Sequence, residues 1–244
     1  MAASEVTQNG WHAVPLDAGR IFNGRPYINK PGPLLVSDIK FPSEDPVVAK
    51  VRDFAKEKLP RQTFSHSMRV YYYTTAIIKQ QFPEHVADFS PSTLALTCLL
   101  HDIGTAPELI SASRMSFEFY GGIKARELIL GLGGPQDQAD AVSEAIIRHQ
   151  DLGVDGTITF LGQVIQLATI FDNVGEHPTV DNIAELLHKE TREDVIRGFP
   201  REGWLGCFAN TVRQEIRLKP WCHTTHIPDF ASKIEGNTLM KPYE

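Results

Sequence analysis

Residues 90–104 read SPSTLALTCLLHDIG, and this stretch decides how the rest of the chain is understood. Ser90 can cap free backbone amides, Pro91 suits a first helical position, and Leu94, Leu96, Leu99 and Leu100 continue as an apolar helix. The run stops at His101-Asp102-Ile103-Gly104. An imidazole and a carboxylate at the end of a core helix bring two polar groups to the edge of the core. There they cost free energy unless a metal or a hydrogen-bond network satisfies them.

The flanking sequence is helical as well. Pro46 opens a segment in which Val47, Val48, Val51, Phe54 and Ala55 recur on one face until Leu59-Pro60. A second helix is predicted from Thr63 to Gln81, with Met68, Tyr71, Tyr72, Thr75 and Ile78 at three-to-four-residue spacing and His66 in its first turns. Further helices are expected at about 117–132, 138–149, 161–173, 181–197 and 209–219. No βαβ rhythm, internal repeat, phosphate loop, HExxH or GxSxG signature interrupts them, so the expected fold class is all-α, a single helical bundle. Residues 1–45, broken by Gly10, Gly19, Gly24, Pro26, Pro31, Gly32 and Pro33, read as an irregular arm packed on the core. Residues 46–220 read as the helical domain and 221–244 as a C-terminal segment.

With 244 residues, 42% of them hydrophobic, the chain can fold around its own core without a disulfide or structural metal. A metal site must then be explained by function. The 24 Lys and Arg against 30 Asp and Glu give a net charge of −6, which offers no footprint for nucleic acid or an anionic membrane. Cys98, Cys207 and Cys222 are an odd number and read as reduced intracellular thiols. No signal peptide and no long uncharged apolar run is seen, so a soluble cytoplasmic protein is expected. The acidic balance is compatible with a monomer and with a homo-oligomer.

Two further residues join His101-Asp102 as candidates. His66 lies on the preceding helix, and Asp172 emerges from the apolar stretch 160–171, where a carboxylate buried alone would be expensive. Two imidazoles and two carboxylates form a mixed nitrogen-and-oxygen set suited to zinc, iron or manganese.

The order His66, His101-Asp102, Asp172 resembles the H…HD…D signature of the HD-domain metal-dependent superfamily, whose members are helical. The resemblance implies an HD metal-binding helical domain over 46–220, with His66, His101, Asp102 and Asp172 as metal ligands. The segments TFSHSMRVYYY, SPSTLALTCLLHDIGTAPE, RMSFEFYGGIKA, EAIIRHQDLGVDG, ITFLGQVIQLATIFDNVG and KPWCHTTHIP are similar to the fungal cyanamide hydratases, zinc enzymes that form urea from cyanamide and water. This implies one Zn2+ per chain and a small neutral nitrile-like substrate, with Asp102 and His149 as catalytic residues. Asp102 would relay a proton; His149 would lie behind the metal or face substrate, its plain structural alternative being a helix-end cap.

Two features separate the chain from HD phosphohydrolases. Thr105 stands where many of them carry a lysine, and Gln150 follows His149 where two-metal members often have another ligand. An HD phosphohydrolase acting on a nucleotide or phosphomonoester is the second reading, and a non-catalytic metal-binding regulatory domain the third. Cys222-His223-Thr224-Thr225-His226 lacks a fourth ligand at zinc spacing and reads as packed pocket wall. Phe64, Tyr72, Phe117, Tyr120, Phe171 and Trp221 are candidates for shielding the substrate, although ordinary core packing is the stronger reading of each. Arg148 and Lys124 read as surface cations that could also polarise a substrate.

Overall fold

The computed structural model describes residues 4–87 and 89–244. The first three residues of the expected arm lie outside the described residues. In chain order the elements are α1 (Glu5–Gln8), β1 (Ala13–Pro15), α2 (Ala18–Phe22), α3 (Pro46–Lys58), α4 (Arg61–Gln81), α5 (Pro91–Leu100), α6 (Phe117–Gly131) and α7 (Gln136–Arg148). They continue with β2 (Thr157–Thr159), α8 (Phe160–Asn173), α9 (Lys189–Gly198), α10 (Trp204–Leu218) and α11 (Phe230–Glu235). The fold is all-α in its core. No described helix is long and apolar enough to cross a membrane.

The centre of the bundle is α8, FLGQVIQLATIFDN, in which every residue is buried. A helix buried on all sides needs neighbours on all sides, and α4, α5 and α7 pack around it. Its start is fixed by Thr159, whose hydroxyl accepts from the Gly162 amide at 3.0 Å. At α5 the expected start is observed: Ser90 Oγ accepts from the Thr93 amide at 3.2 Å, with Pro91 opening the helix.

Besides the short helices α1, α2 and α11, which the sequence reading did not expect, the sequence pattern concealed two things. The first is a two-stranded antiparallel sheet, β1 with β2, in register Ala13↔Thr159 and Pro15↔Thr157. Strands of three residues are too short for an alternation to be read. The second is that the single helix expected at 181–197 is broken. Asn182 takes φ 47, a left-handed value, a 3-10 turn spans Ile183–Leu186, and Leu187 is extended before His188 caps α9. Ile183, Leu186 and Leu187 are nevertheless buried, so their spacing reflects burial and not helical periodicity.

Candidate metal centre

His66 is held on the second turn of α4, His101 at the C-terminal end of α5, Asp102 in the following turn and Asp172 near the end of α8. All four are at most 1% exposed. His66 Nε2 lies 3.1 Å from His101 Nε2, and Asp102 Oδ2 is 3.3 Å from His101 Nε2 and 3.7 Å from His66 Nε2. Two ligands 2.0–2.1 Å from one zinc at a tetrahedral angle would stand about 3.3 Å apart. The three edges bracket that value.

Proton placement makes the case stronger than distance alone. His101 Nδ1 faces the Cys98 carbonyl at 2.8 Å, and His66 Nδ1 faces Asp172 Oδ2 at 2.6 Å. Both partners are acceptors, so in each ring Nδ1 carries the hydrogen and Nε2 presents a lone pair. The two lone pairs therefore meet a carboxylate that itself has no donor: neither oxygen of Asp102 has a hydrogen-bond partner. One extra proton on His101 would serve Asp102 and still leave His66 facing a second acceptor. A divalent cation serves all three, and this donor set fits one.

Asp172 occupies a different place. Its Oδ2 lies on His66 Nδ1 and its two oxygens also receive Arg69 and Arg201, with Arg69 Nη2 at 2.8 Å and Arg201 Nη1 at 2.5 Å. Burial alone would raise its pKa, but Arg201, Arg69 and His66 outweigh burial and hold it well below the carboxylate range. Burial presses His66 down to about 4 against the pull of Asp172, which keeps that ring neutral. Arg69 also donates to the carbonyls of Phe199 and Pro200, and Arg201 to Glu244. Asp172 is thus a fixed anion that orients His66 from behind, an arrangement common around metal-bound imidazoles.

His149 caps α7 with Nδ1 2.6 Å from the Ile146 carbonyl, so its Nε2 is again the open nitrogen. Its ring stands edge-on to His101 at 5.3 Å, and burial, reinforced by His101, lowers its pKa. Beyond His149, His223 Nδ1 meets the buried carboxylate of Glu118 at 2.8 Å.

The aromatic enclosure differs from the expected one. Trp204 stacks on His66 at 4.4 Å and Phe208 on Trp204 at 5.0 Å, and neither was singled out by sequence. Phe117 does reach His149, at 5.9 Å. Trp221 is 61% exposed and donates to the Arg114 carbonyl, so it is not part of a buried wall. Tyr72 stacks on Phe199 and Phe171 meets Tyr73, both as core packing. Phe64 and Tyr120 are half-buried, and Lys124 lies over the Tyr120 ring. Lys124 pairs with Glu127 and Arg148 with Asp151.

Comparison with known proteins agrees with this geometry. The HD domain model matches residues 63–174, a span that begins before His66 and ends after Asp172. Two cyanamide hydratases of Saccharomyces cerevisiae, DDI2 and DDI3, are each 42% identical over 236 residues, covering 96% of this chain and 99% of theirs. The chain belongs to the cyanamide hydratase family of HD-domain proteins. Among the residues that serve this family member's centre, Arg69, Arg201, Trp204 and Glu244 escaped the sequence reading. Arg69 alone had a local signal, since it follows His66 by three positions and shares its buried face.

Proposed function

We propose that this chain is a zinc-dependent cyanamide hydratase, adding water across the nitrile of cyanamide to give urea. The observation that carries the reading is the Asp102 carboxylate, buried without a donor and facing the open nitrogens of His66 and His101. The relatives' names supply the substrate, and full-length similarity supports its transfer. When bound, a divalent ion supplies the Lewis acidity that makes water a nucleophile near neutral pH.

The chain's own residues do the rest. His66, His101 and Asp102 offer the ligand atoms, and Asp172 completes the constellation by keeping the Nδ1 proton of His66 in place. His149, neutral and anchored on the Ile146 carbonyl, uses Nε2 to orient the attacking water. Asp102, with one oxygen directed at the imidazoles, uses the other to accept the proton and return it to the nitrile nitrogen. The isourea so formed tautomerises to urea, and atoms balance with one water consumed. Burial of these side chains excludes bulk water from the reacting atoms.

A phosphohydrolase would need a cation free to meet phosphate near the ligands. The two buried arginines closest to them both donate to Asp172, and Thr105 donates to the Asp102 carbonyl. The test is to quantify bound metal and urea production from cyanamide in the purified chain, before and after chelation and zinc restoration. About one zinc per chain and chelator-sensitive urea formation are expected. Asp102→Asn should lose both, while Asp172→Asn should weaken metal retention roughly 10–100-fold. Zinc-loaded, folded protein that makes no urea would overturn the hydratase reading and leave a metal-binding regulatory domain; phosphate release from nucleotides instead would establish the phosphohydrolase.

A further inference from the structure

A third buried guanidinium, at the start of α9, takes no part in the metal centre. Arg69 and Arg201 each donate to several acceptors. Arg192 is 9% exposed, yet its Nε is enclosed without any acceptor, and the group lies over the Tyr243 ring at 5.8 Å. Among the described residues no carboxylate or carbonyl receives it. The Nε–H has left water with nothing in exchange, which is costly, while the two Nη groups remain open to a ligand.

Arg192 opens onto a surface cavity of about 440 Å³, shared with Tyr27, Lys30, Glu185, His188 and Lys189. Three cations there face one carboxylate, on a chain whose net charge is −6. That carboxylate, Glu185, already accepts from Asn182 at 2.5 Å. Lys189 is held only loosely, 3.7 Å from Glu193, and Glu193 also accepts from the Tyr243 hydroxyl at 3.0 Å. Lys30 is exposed. The cavity is therefore lined by cations that outnumber its one carboxylate, around a planar fork of the kind that receives a phosphate bidentately.

We propose that this cavity is an anion-binding site, separate from the metal centre, that takes the phosphate group of a small phosphorylated metabolite. Arg192 donates through its fork, and Lys30 and Lys189 neutralise the remaining charge. The volume exceeds that of a phosphate group alone and lies in the range of small-molecule sites, leaving room for the organic part beside Tyr27.

Inorganic phosphate is the probe. Calorimetric titration of the full, metal-loaded chain at low ionic strength should show saturable binding at one site. Arg192→Met keeps the apolar stem and should weaken binding about 10–100-fold, the loss of charge-assisted hydrogen bonds. Arg197→Met, on the exposed end of the same helix and paired with Asp194, should leave it unchanged. If Arg192→Met fails to fold by circular dichroism, Lys189→Ala at an exposed position decides, with a weakening of several-fold expected and unchanged affinity overturning the proposal. Absence of saturable binding would overturn it, as would equal binding by wild type and Arg192→Met, the result expected of phosphate held at the metal centre. Citrate titrated in parallel should bind more weakly; tighter, Arg192-dependent citrate binding would overturn the phosphate assignment.

Discussion

At the scale of single residues, the position of one proton on a ring decides what the ring can do. His66 and His101 are made able to bind a metal by the acceptors behind them, Asp172 and the Cys98 carbonyl, which fix hydrogen on Nδ1. His177 shows the same logic without a metal. Its Nδ1 accepts from the Thr179 amide at 3.2 Å, while Nε2 is buried with no partner, and burial lowers its pKa from 6.5 to about 4. Between those two values the unfolded chain binds a proton that the folded chain refuses. Stability therefore falls as pH drops from 6.5 towards 4, by about 1.4 kcal/mol per unit and about 3 kcal/mol in all. Asparagine can place an acceptor where Nδ1 stands and does not titrate. Urea unfolding of His177→Asn should show an acid limb shallower by about 2 kcal/mol between pH 7 and pH 4.5; an unchanged limb would assign the acid sensitivity elsewhere. His101-Asp102 and Asp172 stood out in sequence because each follows an apolar run, whereas His66 was a candidate only as a histidine of the preceding helix. Arg69 was not, because a basic residue in a helix is normally solvated, and its partner Asp172 lies 103 positions away.

At the scale of elements, the turn after α5 explains the glycine of His-Asp-Ile-Gly. A Cβ on Gly104 would stand 2.0 Å from the Phe117 carbonyl oxygen, because the turn that carries Asp102 rests directly on the first residues of α6. That end of α6 cannot retreat easily. The Phe117 amide donates to the buried Glu215 carboxylate at 2.6 Å, which ties it to α10. Gly104→Ala must therefore displace backbone on one side or the other, at a cost of about 3 kcal/mol. Displacement of the turn would carry Asp102 with it, so metal content should fall together with the urea midpoint. Gly121→Ala, whose Cβ would meet the Gly104 nitrogen at 3.0 Å, should fall between wild type and Gly104→Ala in both measurements. The helices themselves were legible wherever a cap and an apolar face coincide, as at Ser90-Pro91. The segment 181–197 was misread because Ile183, Leu186 and Leu187 are held inward by tertiary packing around a left-handed Asn182, which no local pattern announces.

At the scale of the whole molecule, the matched HD segment contains the candidate ligands but only part of what steadies them. Residues 63–174 include His66, His101, Asp102 and Asp172, whereas Arg201, Trp204 and Glu244 come from beyond it. The relay is continuous: Glu244 receives Arg201 Nε at 2.5 Å and the Leu205 amide at 3.0 Å, Arg201 holds Asp172, and Asp172 holds His66. Glu244 thus fixes both the guanidinium and the start of α10, where Trp204 stacks on His66. Glu244→Ala leaves Arg201 its bonds to Asp172, so the variant should fold, with a loss of about 1–2 kcal/mol for the missing charged partner. Freed of that partner, Arg201 and the Asp172 it grips gain latitude, and His66 loses orientation. Competition with a chelator should then show zinc affinity lowered several-fold in Glu244→Ala, with Glu244→Gln intermediate, because its amide oxygen still accepts from Arg201. Arg213→Ala breaks an exposed pair with Glu235 that lies outside this relay and should leave zinc affinity unchanged. Equal zinc affinity in wild type and Glu244→Ala would mean that Glu244 takes no part in positioning the candidate ligands.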